Sequence, residues 1–114
     1  MLGASSNPER FSYMAVRKLK YGNIPVVAVG LREGEVNGVR IEKPFSKFDN
    51  IHTITVYIGP KNLVAYYDYI LELKPKRVIF NPGTESPSFA ETLSTEGVEV
   101  VNACTLIMIS NNQY

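Results

Sequence analysis

Thr53-Ile54-Thr55-Val56-Tyr57-Ile58, closed by Gly59-Pro60, is the stretch on which the fold turns. Its β-branched residues suit a pleated, half-buried strand, and Gly59-Pro60 ends that strand and opens a helix with Pro60 near its first turn. Leu63, Tyr66, Tyr67, Ile70 and Leu73 then share one helical face. Pro75 must stop the helix, because proline disfavours helical backbone in the residue before it. Arg77-Val78-Ile79-Phe80 follows as a second short strand. Strand, helix and strand in that order form a βαβ unit, which joins parallel strands by a right-handed crossover.

The pattern continues in both directions. Toward the C-terminus, Ser86-Pro87 reads as an N-cap followed by proline at the first helical position. Phe89, Ala90 and Leu93 face inward, Gly97 closes the helix, and Val98 to Val101 forms a last strand. Toward the N-terminus, Ser12 to Tyr21 predicts a helix whose apolar face holds Phe11, Met14, Ala15 and Leu19, with Arg17, Lys18 and Lys20 turned away. Gly22 is expected to end it in the left-handed conformation, and Val26-Val27-Ala28-Val29 is the strand that follows. Gly34, Asn37 and Gly38 mark turns, with Val39-Arg40-Ile41 expected as a small extension or an edge strand before the βαβ unit. Only Met1 and Leu2 stand before Gly3 to build the strand expected there, so either the chain is clipped relative to its relatives or that strand is unusually short. The sum is an α/β fold: a Rossmann-like three-layer sandwich with a mostly parallel five- or six-stranded sheet, expected as a single domain over residues 1–114.

Composition narrows the function. With 45% hydrophobic and 20% charged residues, the 114-residue chain is neither disordered nor collagen-like. Twelve basic against eleven acidic side chains leave a net charge of +1, which argues against nucleic acid as a partner. The apolar run Ile24 to Leu31 falls far short of the ~20 residues a spanning helix needs, and no signal-peptide pattern precedes it, so no membrane partner is expected. Cys104 is the only cysteine; no intramolecular disulfide or Cys-rich metal site can form, and a cytoplasmic protein is the expectation.

In an open parallel sheet, ligands settle beyond the carboxyl ends of the strands. The first such loop, Gly3 to Ser12, has a glycine and small side chains that let backbone N–H groups approach a phosphate near a helix N-terminus. It lacks the second and third glycines of a G-x-G-x-x-G fingerprint. After Val29-Gly30, a chain that reads the free ribose hydroxyl of NAD would carry Asp or Glu; Arg32 stands there instead, suited to a ribose phosphate of NADP or coenzyme A. A solvated arginine beside Glu33 and Glu35 is the competing reading. Tyr57-Ile58-Gly59-Pro60 is apolar enough to line a hydrophobic arm, and Asn81 to Ser86 offers amides and hydroxyls to a ligand's amide groups. Both also make sense as plain strand-to-helix punctuation.

The opening Gly3-Ala4-Ser5-Ser6-Asn7-Pro8-Glu9-Arg10-Phe11-Ser12-Tyr13 resembles the G-A-S-x-N-P-x-R-x-S-Y start of small bacterial CoA-binding proteins. The resemblance runs on through Ile24 to Val29, the insertion containing Gly38, Asn81 to Glu85, and Gly97 to Val101 leading to Cys104. That family is similar to the CoA-binding domain of succinyl-CoA synthetase, and it implies a stand-alone Rossmann-like module that holds coenzyme A. By that resemblance Gly3, Ala4, Ser5, Arg10 and Ser12 would meet the phosphates, with Phe11 among the contacts. Arg32 would lie near the adenosine ribose, Tyr57 and Ile58 would flank the pantetheine, and Asn81, Pro82 and Gly83 would form the far wall. Many relatives end the second strand with Asn-Pro where Gly30-Leu31 stands here.

The chain has one histidine, one cysteine and no carboxylate pair at a shared motif spacing, a poor catalytic inventory. His52 precedes a strand and reads as structural, and Cys104, before Leu106-Ile107-Met108-Ile109, reads as a small buried hydrophobe. Tyr66, Tyr67 and Tyr69 read as helix packing or a dimer face, so a homodimer is one expected assembly. The expected function is non-catalytic binding of coenzyme A or an acyl-CoA. The alternatives are an NADP-binding oxidoreductase-like domain and a degenerate Rossmann-like module that contacts other proteins without a ligand.

Overall fold

The computed structural model describes every residue, Met1–Tyr114. Its elements in chain order are α1 (Phe11–Tyr21), β1 (Ala28–Val29), β2 (Gly34–Val36), β3 (Val39–Glu42) and β4 (Thr53–Val56). Then come α2 (Pro60–Leu63), a 3-10 turn (Val64–Tyr66), α3 (Tyr67–Leu73), β5 (Arg77–Phe80), α4 (Pro87–Thr95), β6 (Glu99–Asn102) and α5 (Thr105–Ser110). The chain divides into two compact units, Met1–Ser46 with Thr105–Tyr114, and Lys47–Cys104. The architecture is α/β, and each unit has three strands where a five- or six-stranded sheet was expected.

In the first unit the strand order is β1-β3-β2. β1 runs parallel to β3, pairing Ala28 with Ile41, and β2 and β3 form an antiparallel hairpin. The hairpin turns at Asn37 and Gly38, both with positive φ (51° and 86°), as a type I′ turn requires. The segment expected as an edge strand is therefore central. Gly34 lies inside β2 and not in a turn, and Leu2 contributes only a single parallel bridge to Val29. Val16, Ala28, Val36, Val39 and Ile41 form the core, with Ala4 packed among them.

Helix α1 buries Ser12, Ala15, Val16 and Leu19, an i, i+3, i+4, i+7 stripe. Phe11 and Met14, expected on the apolar face, are exposed. The buried stripe packs Val16 into the core with Val36 and Ile41, and the larger pair, Phe11 and Met14, is left outside. Gly22 does not take the left-handed conformation (φ −81°); Asn23 does, at φ 59°. Asn tolerates that region because its side chain can bond locally. Helix α5 packs beside α1, and Lys18 Nζ donates to Ser110 Oγ at 2.8 Å.

In the second unit β4-β5-β6 is wholly parallel, pairing Ile54 with Val78 and Val78 with Val100. β5 sits between two neighbours, and its Val78, Ile79 and Phe80 are fully buried. The single helix expected from Pro60 to Leu73 is broken, since Tyr66 leaves helical backbone at φ −106°, ψ 1°. The break turns Tyr69 inward beside Tyr66, ring edge to face at 6.5 Å, and leaves Leu73 half-buried. Lys74 closes α3 in the left-handed region before Pro75. β6 starts one residue later than expected because the Val98 amide returns to Leu93 and closes α4. Ser86 stands at the N-cap position of α4, and its carbonyl accepts the Ala90 amide at 2.8 Å. Its hydroxyl makes no capping bond; it pairs with Tyr67 Oη at 3.1 Å, while the Tyr67 ring stacks on Phe89 at 3.9 Å. No helix is long and apolar enough to cross a membrane.

Candidate functional site

The loop between Leu2 and α1 is shaped by two local rules. Asn7-Pro8 makes a turn in which Asn7 Oδ1 accepts the Glu9 amide at 3.0 Å and the Asn7 carbonyl accepts the Arg10 amide at 3.0 Å. Upstream, Gly3 at φ 95° lets two consecutive amides converge, and those of Gly3 and Ala4 both donate to the Val29 carbonyl at 2.9 Å. The concavity they form holds that carbonyl, so neither amide is offered to a ligand. Ser5 Oγ accepts the Asn7 amide at 3.1 Å. The amides of Ser5 and Ser6 donate to no protein acceptor.

Arg10 is the N-cap of α1 in extended backbone (φ −84°, ψ 142°) and makes no side-chain cap bond. The first-turn amides of Phe11, Ser12 and Tyr13 have no protein acceptor, and no acidic residue lies in that turn. Unsatisfied amides at the positive end of a helix dipole attract an anion. Ser12 is 4% exposed and the Phe11 ring 69% exposed. Arg10 is exposed and makes no ion pair. The same holds of Arg32, which follows β1 at a bend; Glu33 and Glu35, expected as its neighbours, do not pair with it. The first unit thus brings Ser5, Arg10, Phe11 and Ser12 into one loop and helix start. Tyr13, whose amide completes the turn, was not among the residues singled out from sequence, and its place three residues past the Arg10 cap is the signal that would have found it.

In the second unit Tyr57 and Ile58 follow β4 directly and are half-buried. Asn81 follows β5 and is 3% exposed. Its Nδ2 donates to Thr55 Oγ1 and to the Val56 carbonyl, both at 2.8 Å, and its own carbonyl accepts the Thr84 amide and hydroxyl at 2.9 and 2.8 Å. Asn81 ties the end of β5 to β4. Pro82 and Gly83 are exposed, and the Gly83 amide, at φ 89°, donates to Glu85 Oε1 at 2.8 Å. The loop's polar groups are in good part spent on itself.

A surface cavity of about 220 Å³ is lined by Lys20, Asn23, Ile24, Pro25 and Val26. It lies before β1, at the N-terminal end of that strand. Two groups have shifted acidities. Burial pushes the Met1 α-ammonium down from 8.0 to about 5, and burial followed by the charge on Tyr66 pushes the Tyr69 phenol up. Neither group belongs to a strand-end loop. His52 precedes β4; its ring Nδ1 lies 2.7 Å from Thr53 Oγ1, and its carbonyl accepts the Lys76 and Arg77 amides. Cys104 is half-buried after β6, and no three His, Cys, Asp or Glu side chains cluster as a metal site would need.

Residues 1–110 match the family described as CoA binding domain, and the chain belongs to that family. Among solved structures it is similar to a crystal structure of an uncharacterized protein, 43% identical with a TM-score of 0.96, covering 99% of this chain and 93% of that one. A hypothetical protein from Pyrococcus horikoshii OT3 is 22% identical with a TM-score of 0.85, over 96% of this chain and 79% of that one. A protein from Thermus thermophilus is 23% identical, also with a TM-score of 0.85, over 99% and 87%. The last two share the fold. No curated relative matches the sequence.

Proposed function

We propose that the protein binds coenzyme A or an acyl-CoA non-covalently and catalyses no reaction by itself. The observation that carries this reading is the first turn of α1: three amides without acceptors, no acidic side chain, and Arg10 exposed at the cap, in a member of the CoA-binding domain family. Those donors fit a phosphate or diphosphate. Ser5 adds a hydroxyl, Ser12 contributes its amide while its side chain is buried on the packed face of α1, Gly3 and Ala4 fix the loop through Val29, and Phe11 offers its exposed ring beside them. Arg32 is the group for the ribose 3′-phosphate, since a guanidinium can hold it with two parallel hydrogen bonds. Tyr57, Ile58, Asn81, Pro82 and Gly83 belong to the second unit, and this reading rests on the first unit alone.

Calorimetric titration with coenzyme A, 3′-dephospho-coenzyme A and NADPH tests the proposal. Coenzyme A is expected to bind tightest. Arg32→Ala should weaken it roughly tenfold, one charge-assisted contact, and leave the dephospho form unchanged. Preference for NADPH would favour the NADP-binding alternative, and no heat with any of the three would favour a module without a ligand.

A further inference from the structure

The loop over the end of β1 rests on two residues that have no side chain. A Cβ at Gly30 would lie 2.3 Å from the Ala4 carbonyl oxygen and 2.9 Å from Ile41 Cγ2. One at Gly34 would lie 3.0 Å from both Cβ and Oγ of Ser6. Neither glycine has a positive φ, so backbone conformation does not call for glycine at either position; space does. Gly34 moreover lies within a strand, where glycine is disfavoured unless another segment approaches closely. A dinucleotide fingerprint puts its close-approach glycines inside the phosphate loop. Here the loop keeps only Gly3, and the missing bulk has been removed from the strand and hairpin that face it.

We infer that Gly30 and Gly34 are positioning residues for the ligand loop: they set how closely residues 3–6 lie on β1 and β2, and through that the place of the free Ser5 and Ser6 amides before the α1 turn. The inference rests on the coenzyme A reading. At Gly30 the obstacle is backbone, so alanine there must displace Ala4 and with it the paired amides on Val29. At Gly34 the obstacle is the Ser6 side chain, which gives a matched relief, Ser6→Gly.

The experiment is calorimetry with coenzyme A on the unaltered chain, Gly34→Ala, Ser6→Gly, the double variant, and Glu35→Ala as an exposed control on the same strand, with melting temperatures recorded alongside. Gly34→Ala should weaken binding roughly tenfold, a displacement of a few tenths of an ångström in a preorganised loop, and the double variant should return to within about threefold of Ser6→Gly. Glu35→Ala should bind as the unaltered chain does. Unchanged affinity in Gly34→Ala, or a loss that Ser6→Gly does not recover, overturns the inference while coenzyme A binding stands. Should Gly34→Ala fold only in the double variant, the coupling is supported; a double variant that stays unfolded counts against it. If the unaltered chain gives no heat with coenzyme A, the functional reading fails and takes the inference with it.

Discussion

Replacing Asn81 by alanine should destabilise the second unit by about 3 kcal/mol. The side chain is 3% exposed and gives both amide hydrogens at 2.8 Å, one to Thr55 Oγ1 and one to the Val56 carbonyl. Each bond contributes about 1 kcal/mol net, and acceptors left buried beyond the reach of water add roughly 1 kcal/mol or more. The Val56 carbonyl would keep only the long 3.4 Å contact from the Asn81 amide. Urea denaturation followed by circular dichroism measures the loss directly. In thermal melts it should appear as a drop on the order of 10 °C or more. A loss below about 1 kcal/mol would mean that water replaces the amide at no cost. That result would refute the claim that Asn81 is spent on joining β5 to β4.

Two further expectations concern single groups. Because burial holds the Met1 amine neutral down to about pH 5, while in the unfolded chain it is charged below its ordinary 8.0, the unfolded state carries an extra proton between those values. Stability should therefore fall as pH is lowered from about 8 to about 5, by at most roughly 4 kcal/mol, and acetylating the amine should flatten that part of the melting-temperature profile. Lys74 holds φ 50°, ψ 54° at the end of α3. Lys74→Gly should stabilise the unit by about 0.5–1 kcal/mol, the left-handed cost less the added chain entropy of glycine, and a loss in chemical denaturation would contradict that balance.

The elements legible from sequence are those whose signal is local. The β-branched run expected over residues 53–58 announces a buried parallel strand, which ends at Val56; Val78-Ile79-Phe80 announces another, Ser86-Pro87 the start of α4, and Asn37-Gly38 a turn. What escaped depends on distant partners. Leu63, Tyr66, Tyr67, Ile70 and Leu73 satisfy a continuous helix as well as a broken one, and only the packing of Tyr69 against Tyr66 distinguishes them. Val39 to Ile41 become central because β2 pairs beyond them, and Leu2 is too short to extend the sheet as more than a bridge. The same division runs through the candidate site. That the Gly3 to Ser12 loop runs into a helix N-terminus is legible because it is local, although the helix starts at Phe11 and leaves that ring exposed. That the Gly3 and Ala4 amides are taken by Val29, or that Gly30 and Gly34 make room for the loop, follows from contacts across the unit that no spacing encodes.

In the proposed function the open amides of the α1 first turn receive a phosphate of coenzyme A. Amide resonances of isotopically labelled protein, followed during a coenzyme A titration, examine it atom by atom. Phe11, Ser12 and Tyr13 should shift saturably with one shared dissociation constant, while Gly3 and Ala4, already bonded to Val29, move far less. If saturating coenzyme A shifts other resonances and leaves those three in place, the phosphate sits elsewhere and the α1 turn is not its site.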